Sequence, residues 1–175
     1  MLKILYILSW IIFVGLCIEA GGFLTNTIYT LAVDSELASH FWGKLDFSNL
    51  YNYDAGHFFA VTTYLNIIAI LKAILFYTII KVIHDKHLNL VQPFNRAVGK
   101  FISLAAFIAI GIGLFSAGAK NYIDWIESKQ VALPNLESLK MGGADVWLFM
   151  GIVLLVVAQI FKKGIEIQEE NELTV

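Results

Sequence analysis

This chain has few charged residues, few prolines and a single cysteine. Charged side chains make up 15% of its 175 residues, and it holds two prolines. Because an ordinary soluble domain is about 25% charged, this composition argues against a water-soluble globule. The one cysteine, Cys17, excludes an intramolecular disulfide and leaves the redox compartment undetermined. Lysine and arginine form no run longer than a pair, which excludes the basic footprint of a protein that binds nucleic acid directly.

Apolar residues are abundant and are grouped into long stretches. Hydrophobic residues make up 58% of the chain, and the mean hydropathy is +0.73. Four stretches stand out, at residues 4–31, 57–82, 97–119 and 146–161. A helix rises about 1.5 Å per residue and the hydrocarbon layer is about 30 Å thick, so about 20 apolar residues cross it. The sequence therefore predicts an all-α membrane protein, a single domain built as a four-transmembrane-helix bundle.

Basic residues indicate how this bundle is oriented, because they favour the cytoplasmic side of short loops. Seven of them flank the N-terminus, the loop between the second and third spans, and the end of the fourth span. The other two loops hold four. This bias predicts that both termini are cytoplasmic. The fourth span continues without a helix breaker into an acidic tail, residues 164–175, which anionic headgroups should repel into the cytoplasm.

Two ionisable residues, Glu19 and Lys72, lie inside predicted spans. An ionisable group in the bilayer costs several kcal/mol unless it is paired or hydrated, so each is a functional candidate. Measured from Lys3 and Lys81 as markers of the inner interface, Glu19 lies about 24 Å and Lys72 about 14 Å into the membrane. By the same count Asn66 lies level with Glu19. We therefore predict a hydrogen bond between Glu19 and Asn66.

Thr62 and Thr63 lie one turn above this level and complete the predicted polar site. Its role is either to join two helices or to bind a ligand or proton, and the residues do not decide between the two. Lys72 has a long apolar stem, and we expect its ammonium group to reach the inner surface past Tyr77.

Small residues recur at every fourth position of the third span: Ala105, Ala109, Gly113 and Ala117. This spacing forms one smooth helix face that lets two backbones approach closely in lipid. It predicts either a close contact within the chain or the seam of a homo-oligomer.

No pattern in the sequence predicts an enzyme, a cofactor or a metal. The histidines fall outside the middle of the membrane, at His40, His57, His84 and His87. Haem held between two helices would need opposed ligands at one depth. The sequence also has no recognisable nucleophile pair, phosphate loop or pair of carboxylates in a cleft.

The segment between the first two spans, residues 34–56, is rich in aromatic side chains: Phe41, Trp42, Phe47, Tyr51 and Tyr53. Aromatic residues with a polar end settle at the headgroup level of membranes. The pattern favours an interfacial aromatic belt, with a ligand-binding cap as the alternative.

Two short segments give the chain a family resemblance. Pro93–Asn95 in the inner loop, and Gln168–Asn171 followed by Leu173–Val175 at the end, resemble the bacterial membrane family known as domain of unknown function 2975. The resemblance covers essentially the whole chain, although Glu172 stands where Asp is expected. Members are often encoded beside a small helix-turn-helix regulator, so the resemblance implies a bacterial inner-membrane protein paired with a cytoplasmic transcription factor. It implies no catalytic residues.

The function expected from these features is that of a non-enzymatic sensor or anchor in the lipid bilayer. Its predicted partner-binding residues are Pro93, Phe94, Asn95, Arg96, Glu166, Glu169 and Glu170. One alternative is a small transporter, channel, or lipid- or small-molecule-binding protein that uses the Glu19–Asn66 level. Another is an accessory subunit of a larger membrane complex.

Overall fold

The computed structural model describes residues 2–84 and 95–172. The helices are α1 (Leu2–Ala32), a short α2 (Ser48–Tyr53), α3 (Ala55–His84), α4 (Arg96–Glu127) and α5 (Ala144–Glu172). The described residues include no named strand. Each of the four long helices is long and apolar enough to cross a membrane. The chain is thus an all-α, multi-pass membrane protein, and the predicted four-helix bundle is confirmed.

The long helices extend beyond the predicted spans. They contain 29 to 32 residues, which at about 1.5 Å per residue gives about 45 Å, more than the ~30 Å hydrocarbon layer. α4 begins where Asn95 caps it, since Asn95 Oδ1 accepts a hydrogen bond from the Val98 backbone N–H at 2.8 Å. α5 has no internal proline and continues as a helix through most of the acidic tail.

The long helices pack in chain order, α1 against α3, α3 against α4, and α4 against α5. One end of the bundle, here called the terminal end, holds both termini of the described chain. There Tyr6 lies against His84, with 3.1 Å between Tyr6 Oη and His84 Nδ1, and Arg96 lies against Glu169. The opposite end, here called the loop end, holds residues 33–54 and 128–143.

One residue of the small-residue face of α4, Gly113, lies against α5 within the same chain. The members of this face are Ala105, Ala109 and Gly113, which are buried, and Ala117, which is half-buried. A Cβ atom on Gly113 would lie 2.9 Å from the backbone nitrogen of Leu148. From the other side, a Cβ on Gly151 would lie 3.1 Å from the carbonyl oxygen of Ala106. Glycine on both helices therefore permits a close approach of their backbones.

The first connection of the loop end forms a packed cap. Phe41 and Phe47 are almost completely buried, and their ring centroids are 5.1 Å apart. Both rings also pack edge-on against Phe58 of α3. The prediction of an interfacial belt is therefore wrong for these two side chains, whereas Trp42 and Tyr53 are exposed. The physical reason is that two 3₁₀ turns, Ser35–His40 and Trp42–Lys44, fold back onto α1 and that α2 folds back onto α3. Part of the segment therefore belongs to the core.

The second connection of the loop end also enters the bundle. Val131, Leu139 and Met141 are buried, and they belong to the same apolar cluster as Phe58 and Leu65. Backbone hydrogen bonds close the turn that precedes α5: Met141 N–H donates to Leu136 O at 3.1 Å. Because apolar side chains on either side of Lys140 are held in the core, this lysine is brought close to the long helices.

Candidate functional site

The clearest concentration of charge inside the bundle joins α1 to the second connection. Glu19 of α1 accepts a hydrogen bond through Oε2 from Lys140 Nζ at 2.9 Å. The Glu19 side chain is only 18% exposed, against 60% for that of Lys140. Lys140 also has a backbone φ of 54°, in the left-handed region that side chains other than glycine seldom adopt. The carboxylate is therefore paired with a cation, as a charge within a membrane segment requires.

A second cation, Lys72 of α3, completes this cluster. Its Nζ donates to the backbone carbonyl of Lys140 at 2.7 Å and lies 6.0 Å from the centre of a Trp147 ring. The side chain therefore extends toward the loop end of the bundle. The prediction that Lys72 reaches the opposite surface past Tyr77 is wrong, because the second connection supplies a carbonyl acceptor within reach of the lysine stem.

Asn66 of α3 lies in a different place, against the part of α1 nearer the loop end. Its Nδ2 donates to Thr27 Oγ1 at 3.0 Å and to the Thr62 carbonyl at 2.8 Å. Thr62 and Thr63 donate their own hydroxyls back to carbonyls of α3. The predicted hydrogen bond between Glu19 and Asn66 is therefore corrected: Glu19 pairs with Lys140, and Asn66 with Thr27.

The register between α1 and α3 explains this correction. If Lys3 and Lys81 lay at the same depth in the membrane, Tyr6 would be level with Thr78. In the structure Tyr6 contacts His84 instead. This difference is a displacement of six residues, or about 9 Å along the helix. It brings Lys72 to the level of Glu19 and moves Asn66 about 9 Å beyond it. Basic residues near a helix end do not mark one depth, because their long side chains reach the interface from different levels.

The three charged side chains line a small cavity. Its volume is about 50 Å³, and its other walls are apolar: Leu16, Phe23, Leu65, Ile68, Ala69 and Leu139. Such a space holds a few water molecules or one small ion and excludes an organic substrate. With two ammonium groups and one carboxylate, the cluster has a formal charge of +1. The cluster can hold the second connection against α1 and α3, and its net positive charge can attract a small anion.

The predicted partner-binding residues lie at the terminal end as far as the structure describes them. Arg96 binds Glu169 through two hydrogen bonds, Nε to Oε1 and Nη2 to Oε2, each 2.9 Å long. Glu166 accepts from Lys163 at 3.2 Å. Asn95 caps α4, and the side chain of Glu170 is exposed. Pro93 and Phe94, and the final Leu173–Val175, lie outside the described residues.

Two polar partners were not predicted from the sequence: Lys140, which pairs with Glu19, and Thr27, which accepts a hydrogen bond from Asn66. A signal for Lys140 was present: it stands between the apolar residues Leu139 and Met141. Apolar residues on both sides of a lysine indicate a segment held against the core. Thr27 gave no such signal, because threonine is common in membrane helices as a donor to its own backbone.

Within residues 2–84 and 95–172, no three His, Cys, Asp or Glu side chains lie close enough together to hold a metal ion. Comparison with protein-family models, with curated proteins and with solved structures finds no match for this chain. The resemblance to domain of unknown function 2975 therefore stays a prediction.

Proposed function

We propose that this chain is a non-enzymatic sensor or anchor of a bacterial inner membrane, with both termini in the cytoplasm, and that its terminal end binds a small helix-turn-helix regulator. One observation carries the proposal: α5 remains helical for eleven residues past Phe161, the end of the predicted span, up to Glu172. This extension is about 16 Å long. A binding element that is already folded loses less conformational entropy on association than a flexible tail does.

The charge of this extension favours a basic partner. Residues 164–175 include four glutamates and no lysine or arginine. The Arg96–Glu169 pair joins the extension to α4, so that its acidic face has a fixed direction relative to the membrane. Proteins that bind DNA present basic surfaces. An acidic helix at the membrane would compete with DNA for such a surface, which gives the membrane protein a means of controlling the regulator.

The test compares binding of a purified regulator to the full chain and to a chain that ends at Ile165. We expect the truncation to weaken binding at least about tenfold, equal to about 1.4 kcal/mol, because it removes the acidic face. Biolayer interferometry on nanodiscs measures the affinity. As the matched control, Glu127→Lys together with Glu137→Lys changes two exposed acidic residues at the loop end and should leave binding unchanged. Full affinity in the truncated chain would contradict the proposal.

A second candidate function is the binding or passage of a small ion at the Glu19–Lys140–Lys72 cluster. The cavity among these three side chains favours it. In this case Glu19→Gln would change ion flux into liposomes by several-fold, while the chain truncated at Ile165 would transport normally. The two variants thus separate the candidate functions, since each removes only one of the two features.

A further inference from the structure

A groove lies between α4 and α5 at the terminal end of the bundle, apart from the charged cluster described above. Its volume is about 440 Å³. Small residues, Gly99 and Ser103 on α4 and Ala158 on α5, form part of its wall. Ser103 donates its hydroxyl to the Gly99 carbonyl at 3.0 Å, so it adds no bulk to the groove. The two helices therefore leave a space between their side chains that neither of them fills.

The charged residues around this groove fall into two groups. Arg96 is held by Glu169, and Glu166 by Lys163, so these four charges are neutralised in pairs. Lys100 and Lys162 also line the groove.

Within residues 2–84 and 95–172, neither Lys100 nor Lys162 forms an ion pair or a side-chain hydrogen bond. The groove thus has two uncompensated positive charges, while its acidic residues already have partners.

The pairing of the helices places these two lysines at the same level of the groove. Gly99 packs near Ile165, and Gly113 near Leu148, and this antiparallel register puts Lys100 and Lys162 at about the same level along the helices. The next outward-facing apolar residues along the helices are Leu104, 49% exposed, and Ile160, 59% exposed. Such exposure of large apolar side chains indicates contact with acyl chains. The two lysines therefore lie where the hydrocarbon layer gives way to the headgroups.

We propose that this groove binds an anionic phospholipid, with the lipid phosphate between Lys100 and Lys162. Basic pockets between membrane helices select anionic headgroups. Lys100 belongs to α4 and Lys162 to α5, so one phosphate held between the helices can accept hydrogen bonds from both ammonium groups. The groove size suits a headgroup, and the apolar helix faces next to it suit the acyl chains. The lipid would join α4 to α5 beside the acidic extension, independently of any protein partner.

The test is a native mass spectrometry titration of the full chain with phosphatidylglycerol, phosphatidylcholine or inorganic phosphate. We expect the first phosphatidylglycerol to bind about tenfold tighter than phosphatidylcholine. The double variant Lys100→Gln/Lys162→Gln should reduce this preference to about twofold or less. Lys81→Gln is the matched control: it removes an exposed lysine at the terminal end of α3 that does not line the groove. This control should keep the preference.

Several outcomes would overturn the proposal. One is equal binding of the two lipids by the unaltered chain, a result that does not depend on any variant folding. Others are an unchanged preference in the double variant, or an equal loss in Lys81→Gln, which would indicate attraction to the whole basic end. Binding of inorganic phosphate that displaces the lipid would make free phosphate the ligand instead. Loss of regulator binding by the truncated chain bears only on the proposed function.

Discussion

Gly151→Leu is expected to lower the free energy of unfolding by about 3 kcal/mol, because it places a large side chain where α4 and α5 pack closely. A Cβ at this position would lie 3.0 Å from the backbone nitrogen of Ile110 and 3.1 Å from the carbonyl oxygen of Ala106. Because both are backbone atoms, no side-chain rotation can relieve the overlap, and α4 must move away from α5. Gly113→Leu should act in the same direction, since its Cβ would meet the backbone of Leu148.

Gly15→Leu is the matched control for both substitutions. Gly15 is also in a membrane helix, but nothing lies within 4 Å of the position of its Cβ. Its replacement should change stability by about 0.5 kcal/mol or less, as expected of an exposed site. The unfolding free energies in mixed micelles, together with the oligomeric state, provide the comparison. If Gly113→Leu altered neither folding nor association, the small-residue face would have no packing role in the chain or in an oligomer.

Glu19→Gln is expected to destabilise the second connection by about 1–2 kcal/mol. Removing one partner of a buried ion pair costs about 3–5 kcal/mol. The effect should be smaller here because Lys140 is 60% exposed and water screens its charge. Without the carboxylate, Lys72 and Lys140 would be two neighbouring cations with no anion. Hydrogen exchange should therefore increase at Leu139 and Met141, which are buried on either side of Lys140.

A double-mutant cycle separates this ion pair from general effects of polarity. Glu19→Gln combined with Lys140→Gln should cost less than the sum of the two single changes, because the second substitution removes the uncompensated charge. Glu137→Gln is the control, an exposed residue of the same connection, and it should leave exchange unchanged. Additive effects of Glu19→Gln and Lys140→Gln would show that the two side chains do not stabilise each other.

The long helices could be predicted from the sequence with little error. Their apolar stretches are continuous, and a backbone in lipid must satisfy its own hydrogen bonds, so a stretch of this length has one stable conformation. The continuation of α5 into the acidic tail also followed from the absence of any helix breaker. The boundaries were less accurate, because polar residues at the helix ends remain helical in water and carry no hydropathy signal.

The candidate sites could be predicted only in part. Glu19 and Lys72 were recognisable because each is an ionisable residue in an apolar stretch. Their partners were not recognisable, since Lys140 comes from a connection whose path depends on where Leu139 and Met141 are buried. The same holds for the aromatic segment: Phe41 and Trp42 are neighbours in sequence, yet one lies in the core and the other is exposed.

By itself the sequence determined that this protein is helical, that it crosses the membrane several times, and that its C-terminal segment is acidic. Only the tertiary structure decided which polar residues meet, because that depends on the register between helices. Lipid is as apolar as the helix surfaces, so the hydrophobic effect that buries the helices does not set their relative heights. The heights are set by a few close contacts, such as Gly113 with Leu148 and Thr27 with Asn66.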